Sequence, residues 1–332
     1  MNSYISNKIR TIQFVSMLMI VLLHANMASI AVGWEKSMML FITQEIARIA
    51  VPIFFMCSGF LFFYKFDGSL AFFTRSINRR VRSLVVPFVL WNVLVLAFLT
   101  LLVQFTDLEI SAISLSWNPL DMIFHPVIYS MWFIRELFIL VILSPLIYAL
   151  LKNAWWIALP LVFVPLALGK GFLLGDFYFS CESIAFFTFG SALSLLCKDV
   201  FENYRASSVC VFGFLTVWLL LSMALHFFGL SYWVHIISIL CGMSVLWLGY
   251  DVIYTHIQPF TENKSLLTLS MWVFCFHEPM LTMIKKAGIA VTHSIVITYF
   301  LAPIICIGIC IAFGFILRKY ISKIYSILVG GR

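Results

Sequence analysis

The chain has 332 residues, 63% of them hydrophobic and only 11% charged, with a formal net charge of +7. An ordinary soluble domain is about 25% charged, and an interior of this size cannot hide so much apolar surface, so soluble and disordered classes are excluded. The surplus of Lys and Arg does not point to nucleic acid, because it falls in clusters beside long apolar runs.

Apolar runs cover residues 11–31, 45–64, 84–104, 131–151, 154–169, 178–197, 208–228, 232–253, 266–284 and 295–317. They predict an all-α fold, a polytopic membrane bundle of about ten transmembrane helices forming one domain over residues 1–332. Junction charges give its orientation. One side receives Lys8, Arg10, Arg75, Arg79, Arg80, Arg82, Lys152, Lys198, Arg205, Lys264, Arg318, Lys319 and Lys323. The other receives Lys36, Lys170, Lys285 and Lys286, and its longest loop carries Asp107, Glu109 and Asp121. Both termini are therefore expected in the cytoplasm. The eight cysteines are scattered, with no CxxC pair, and read as packing residues.

The first run, 11–31, which holds IQFVSMLMIVLLH at 12–24, is too long and lacks the small-residue cleavage site of a removed signal peptide. Its one titratable group, His24, stands fourteen residues past Arg10, about 21 Å along a helix and beyond the middle of a core about 30 Å thick. An ionisable group at that depth is a functional-site hypothesis. It also reads as a neutral His bonded to a neighbouring helix. In the second run, Ser58-Gly59 offers a small pair where helices can approach closely. Depth reasoning lets His24, Arg48, Arg135, Glu136, Glu182, His277 and Glu278 gather around one polar cavity. The alternative is a set of structural ion pairs, such as Arg135 with Glu182.

The stretch RSINRRVRSLVVPFVLWN brings four arginines together before Pro87, taken as lying near a helix start. Guanidinium forks suit phosphate groups; the plainer reading is orientation, or anionic lipid head groups. There is no GxxxxGK[ST] loop, no HExxH pair and no GxSxG elbow. No metal is implied, since His24 and His277 lack a ligand cluster.

Five blocks together carry a family resemblance: IRTIQFVSMLMIVLLHA, PIFFMCSGFLFF, RRVRSLVVPFVLWN, MWFIRELFILVILSPLI and SMWVFCFHEPML. In this order and spacing they resemble the acyltransferase-3 family of integral-membrane acyltransferases, over nearly the whole chain. The resemblance implies an O-acetyltransferase of the bacterial inner membrane. Its donor would be cytoplasmic acetyl-CoA or another acyl-CoA, and its acceptor a hydroxyl of a cell-surface glycan such as O-antigen. Residue by residue, His24 matches the family's catalytic His, and Arg79 and Arg82 match an Arg-x-x-Arg pair that contacts the donor. The family's Arg, with ten residues between it and the His, is Gln13 here. Arg10 stands one turn earlier; Gln13 lies about 20° and Arg10 about 40° either side of His24's direction, so Arg10 is expected to serve in its place.

The resulting expectation is a two-ended site. Donor phosphates dock on Arg79 and Arg82, and the pantetheine arm carries the thioester toward His24. His24 acts as general base or takes the acyl group itself. Glu136, Glu182 or Glu278 orients it, and Arg135 or His277 stabilises the oxyanion. Trp117, Tyr129, Trp132 and Tyr178 offer sugar-stacking surfaces or, more plainly, an interfacial aromatic belt. The rival readings are a transporter or flippase for an anionic or glycan substrate, and a membrane scaffold in which the polar cluster is structural.

Overall fold

The computed structural model describes residues 1–105, 116–169, 172–174 and 177–331, with backbone only at 172–174 and 177–178. Asp107, Glu109, Lys170 and the side chain of Tyr178 lie outside that set.

Helix α1 spans Ser3–His24 and opens on Asn2, whose side chain accepts from Ile5 N. It begins earlier than the apolar run suggested, because Lys8 does not mark its end. Lys8 is fully buried, 2.7 Å from Asp251 and stacked 4.4 Å over the Trp247 ring, so its charge is matched inside the bundle. The helix also ends earlier, at His24 instead of residue 31. The chain then turns, with Ala28 N donating to Asn26 Oδ1.

Helix α2 (Gly33–Leu40) runs through a π-turn (Phe41–Ile46) and a 3-10 turn (Ala47–Ile49) into α3 (Ala50–Phe63). Helix α4 (Leu70–Arg80) likewise passes through a π-turn (Val81–Val85) into α5 (Val86–Phe105). Each irregular turn sits just ahead of a proline, Pro52 or Pro87. A helical proline donates no N–H and crowds the carbonyl four residues back, here of Arg48 and Ser83, and a widened or tightened turn relieves that conflict. Pro87 therefore lies within a continuous helical run and not at a helix start. As a result Arg79, Arg80 and Arg82 are held on helical backbone.

Next come α6 (Pro119–Phe124), α7 (Trp132–Ile142) and α8 (Ser144–Ala167), the last broken at Ala154, where φ is −152° and ψ 50°. The expected run 131–151 is thus divided at Leu143, between α7 and α8, and its second half continues through the kink at Ala154 into the run 154–169 as one helix. An antiparallel hairpin, β1 (Phe172–Leu174) with β2 (Phe177–Phe179), is the only strand pairing among the described residues. The remainder is α9 (Cys181–Leu196), α10 (Lys198–Asn203), α11 (Ser208–Phe228), α12 (Tyr232–Thr261), α13 (Lys264–Leu267), α14 (Ser270–Thr292), α15 (Ile295–Tyr320) and α16 (Ser322–Leu328).

Among the described residues, seven helical runs are long and apolar enough to cross a membrane: 3–24, 33–63, 70–105, 144–167, 208–228, 232–261 and 295–320. Helix α9 is apolar but shorter, and α14 is as long as these but carries Glu278, Lys285 and Lys286.

Helix α1 packs against α3, α12 and α14 and supplies Ile5, Ile9, Ile12, Met17, Ile20 and Val21 to the core. The closest crossing joins α3 to α9. A Cβ added to Gly59 would stand 2.1 Å from Phe187 O, and one added to Gly190 only 1.9 Å from Met56 O. The small pair at Ser58-Gly59 does permit the close approach read from the sequence. This crossing fixes the start of α9 beside the 3-10 turn before α3.

Candidate active site

His24, the last residue of α1, is half-buried, and its ring lies 5.3 Å from that of His277 on α14 between centroids, tilted by 58°. The Tyr129 ring is 6.3 Å from that of His24 between centroids, edge to face. The carbonyl of His24 accepts from Lys285 Nζ at 2.9 Å, which ties the end of α1 to α14. Glu278 Oε2 accepts from Ser130 N at 2.7 Å, so α14 also holds the short turn that presents Tyr129.

His277 is fully buried, and its Nδ1 bonds Phe274 O at 2.7 Å and Val273 O at 3.1 Å. Both partners are carbonyls, so Nδ1 is the donor and Nε2 of the neutral ring presents a lone pair. Nε2 is buried without a hydrogen-bond partner among the described residues, an unusual state for a buried polar atom. In this tautomer His277 accepts a proton or hydrogen bond at Nε2 and has no free N–H for an oxyanion. The ring of His24 makes no hydrogen bond to a described residue, so none of Glu136, Glu182 or Glu278 holds it directly.

The carboxylates form a second group. Arg48 Nη2 lies 2.5 Å from Glu182 Oε2, and Arg135 lies 3.7 Å from Glu136 while donating to the carbonyls of Ile123 and Phe124. Glu136 Oε1 accepts from Ser180 N at the start of α9. Glu182 is thus paired with Arg48 and not with Arg135. These contacts join the entry of α3 to α7 and α9. The structure therefore divides the expected single gathering into a His24–His277–Glu278 group and an Arg48–Glu182 and Arg135–Glu136 group.

The basic stretch opens a vestibule of about 680 Å³. Lys65, Arg79, Arg80 and Arg82 line it on one side, and Ser326, Ile327, Gly330 and Gly331 on the other. The C-terminal hook that forms the second wall is pinned by Trp91 Nε1 donating to Leu328 O at 3.0 Å. Gly330, at φ +72°, presses on the π-turn: a Cβ there would stand 2.6 Å from Ser83 Cα.

A narrower slot of about 220 Å³ shares Leu61 and Arg80 with the vestibule and includes Gln13, Ile20, Ser58, Phe133, Ser270 and Phe274. Gln13, Ile20 and His24 are seven and eleven residues apart and share one stripe of α1. Ile20 and Phe274 stand about one turn below His24 and His277 on their helices, and Leu61 and Arg80 border both the slot and the vestibule. Gln13 and Arg80 meet in this slot, whereas Arg10 lines neither cavity.

Sequence reasoning missed Lys285, Arg80 as a slot residue, and the hook. Lys285 had a signal, since it lies two turns beyond Glu278 on the same helix face. The hook had none, because its contact partners are distant in the chain.

Comparison with known proteins bears on the whole chain. The profile of a family described as an acyltransferase domain matches residues 7–319. The succinoglycan biosynthesis protein ExoH of Rhizobium meliloti (strain 1021) is 25% identical over 315 residues, covering 88% of this chain and 81% of that protein. No solved structure matches the chain significantly.

Proposed function

The chain belongs to the acyltransferase-3 family, and from that premise we propose that it moves an acyl group, acetyl in the first instance, from a cytoplasmic acyl-CoA to a hydroxyl of a cell-surface polysaccharide. The observation that carries this reading is the adjacency of the arginine-lined vestibule and the slot, which share Leu61 and Arg80, with the slot's Ile20 and Phe274 about one helical turn below His24 and His277. The similarity to a succinoglycan biosynthesis protein supports a polysaccharide acceptor.

In this reading the bundle has about ten spans in a bacterial inner membrane, with both termini and the vestibule in the cytoplasm. Arg79, Arg80, Arg82 and Lys65 bind the donor's phosphates by charge-assisted bonds. The arm extends up the slot. From Gln13 to His24 the rise is about 16 Å at 1.5 Å per residue, comparable with an extended pantetheine arm.

His24 takes the proton of the acceptor hydroxyl as its oxygen attacks the thioester carbonyl. The tetrahedral intermediate collapses with cleavage of the C–S bond, and the proton passes to the departing thiolate. His277, through the free lone pair of Nε2, holds a hydrogen of the acceptor or of the His24 ring and so orients the proton transfer. Lys285 lies nearest as a positive charge for the oxyanion. Arg48–Glu182 and Arg135–Glu136 hold the helices around the site.

Membrane vesicles containing the acceptor glycan and supplied with radiolabelled acetyl-CoA on the cytoplasmic face test this. Label recovered in the glycan is the expected result. Movement of the glycan across the membrane without label contradicts it and favours a flippase.

A further inference from the structure

One neighbour of His24 lines neither the vestibule nor the slot. Tyr129 is 67% exposed, while Ile128, Ser130 and Met131 around it are all buried. A lone exposed aromatic is ordinary on a protein surface, and at a membrane interface it serves as an anchor. Tyr129 differs in how its backbone is held. Ile128 N donates to Asn92 Oδ1 of α5 at 3.3 Å, and Asn92 is itself fully buried, with Nδ2 donating to Phe88 O at 2.7 Å. Ser130 N donates to Glu278 Oε2 of α14 at 2.7 Å. Polar side chains from two helices distant in the chain thus grip the residues just before and just after Tyr129. An interfacial anchor needs no such support, since any turn that reaches the interface would serve. A recognition platform does, because a ring fixed before binding costs nothing to order when the ligand arrives.

The platform has a polar companion. Glu278 is half-buried and spends Oε2 on Ser130 N, but no described residue bonds its Oε1. The phenol hydroxyl of Tyr129 likewise bonds no described residue. Tyr129 meets the His24 ring edge to face, a contact that leaves most of the side chain uncovered. An open aromatic face fits the C–H face of a pyranose, and a free carboxylate oxygen accepts from its hydroxyls. The carboxylate also repels an acidic sugar at this position. Ring pairs that include an aromatic settle about 4.5–7 Å apart between centroids, and His24 stands 6.3 Å from the same tyrosine. A sugar packed on Tyr129 beside His24 therefore brings a ring hydroxyl to the imidazole.

We propose that Tyr129 and Glu278 form the acceptor subsite and that it takes a neutral hexopyranose. Tyr129 packs on the C–H face of the sugar, and Glu278 Oε1 accepts from a hydroxyl beside the one that reacts. This inference rests on the acyl-transfer reading above and adds to it the class of sugar and the residues that bind it.

The test uses the full-length protein in lipid nanodiscs, free of glycoside detergents, and reads ligand-induced shifts in Tm, which need no turnover. The probes are methyl β-D-glucopyranoside, the open-chain polyol mannitol, and the acidic methyl β-D-glucuronide. The intact protein is expected to bind the glucoside at least fivefold more tightly than either of the others. Tyr129→Leu should remove the preference over mannitol, and Tyr129→Phe should keep it within twofold. Glu278→Gln, which still accepts from Ser130 N, should remove the discrimination against the glucuronide. Equal binding of glucoside and mannitol by the intact protein would overturn the inference. So would a lower Tm in Tyr129→Leu with sugar binding unchanged, the mark of an interfacial anchor. Transfer from acetyl-CoA in vesicles keeps the two questions apart. There Tyr129→Leu should raise KM for the acceptor glycan at least fivefold and leave KM for the donor unchanged. A glucoside preference lost in Tyr129→Leu, but with no transfer by the intact protein, would count against the enzymatic reading alone. Transfer with the same acceptor KM in Tyr129→Leu would overturn the subsite alone.

Discussion

His24 and His277 approach to 5.3 Å between ring centroids, yet only one of them is tied down. His277 is locked by two backbone carbonyls through Nδ1, with Nε2 left bare, while the His24 ring is free of protein hydrogen bonds among the described residues. A fixed acceptor beside a free imidazole suits a site where one ring orients and the other reacts. Replacing His277 by Phe keeps a planar ring and removes the lone pair. It is expected to lower kcat by about 10- to 100-fold with little change in KM for the donor, an orientation effect smaller than loss of the base itself. Steady-state kinetics in vesicles would show it; an unchanged kcat would remove His277 from the mechanism.

Arg79→Ala/Arg82→Ala takes two of four cations from the vestibule wall. The expected result is a KM for acetyl-CoA raised about tenfold or more, a kcat recovered at saturating donor, and a weaker salt dependence of KM than in the parent. Donor titrations at low and high ionic strength measure all three.

Gly330→Val places a side chain where the backbone of Ser83 already stands. Because Ser83 lies in the π-turn that carries Arg82, the variant should raise KM for the donor at least fivefold. Tm should fall by no more than a few degrees, since the hook lies at the edge of the bundle. Trp91→Phe, which removes the hydrogen bond to Leu328 O, should show the same pattern in milder form.

Gly190→Val probes the bundle itself. With Met56 O only 1.9 Å from the new Cβ, α3 and α9 must separate. Overpacking of this kind costs about 1–3 kcal/mol or more. A clear drop in Tm in detergent is expected, with Gly249→Val, at a roomy position, as the tolerated control.

Much of this was legible in the sequence because apolar run length and helix periodicity are local. The helical bundle, the isolation of His24, the small pair at Ser58-Gly59 and the basic stretch all follow from spacing alone. Partnerships did not follow. Lys8 reads as a flanking charge until Asp251, on α12, is seen to neutralise it inside the bundle. Glu182 could have paired with Arg135, and only the α3–α9 crossing gives it Arg48. Pro87 marked a helix start by rule, but the π-turn in front of it lets the helix continue, which turns Arg79, Arg80 and Arg82 into one wall of a cavity. The opposite wall, the C-terminal hook, meets them only through tertiary packing.

The central claim is that His24 takes the proton of the acceptor hydroxyl as the acyl group is transferred. Its most direct test is transfer of radiolabel from acetyl-CoA to the acceptor glycan in vesicles, comparing the intact protein with His24→Ala at matched amounts of folded protein and saturating donor. The account predicts a loss of about 10²- to 10⁴-fold in the variant that no donor concentration restores. Transfer at the parent rate in His24→Ala would contradict it.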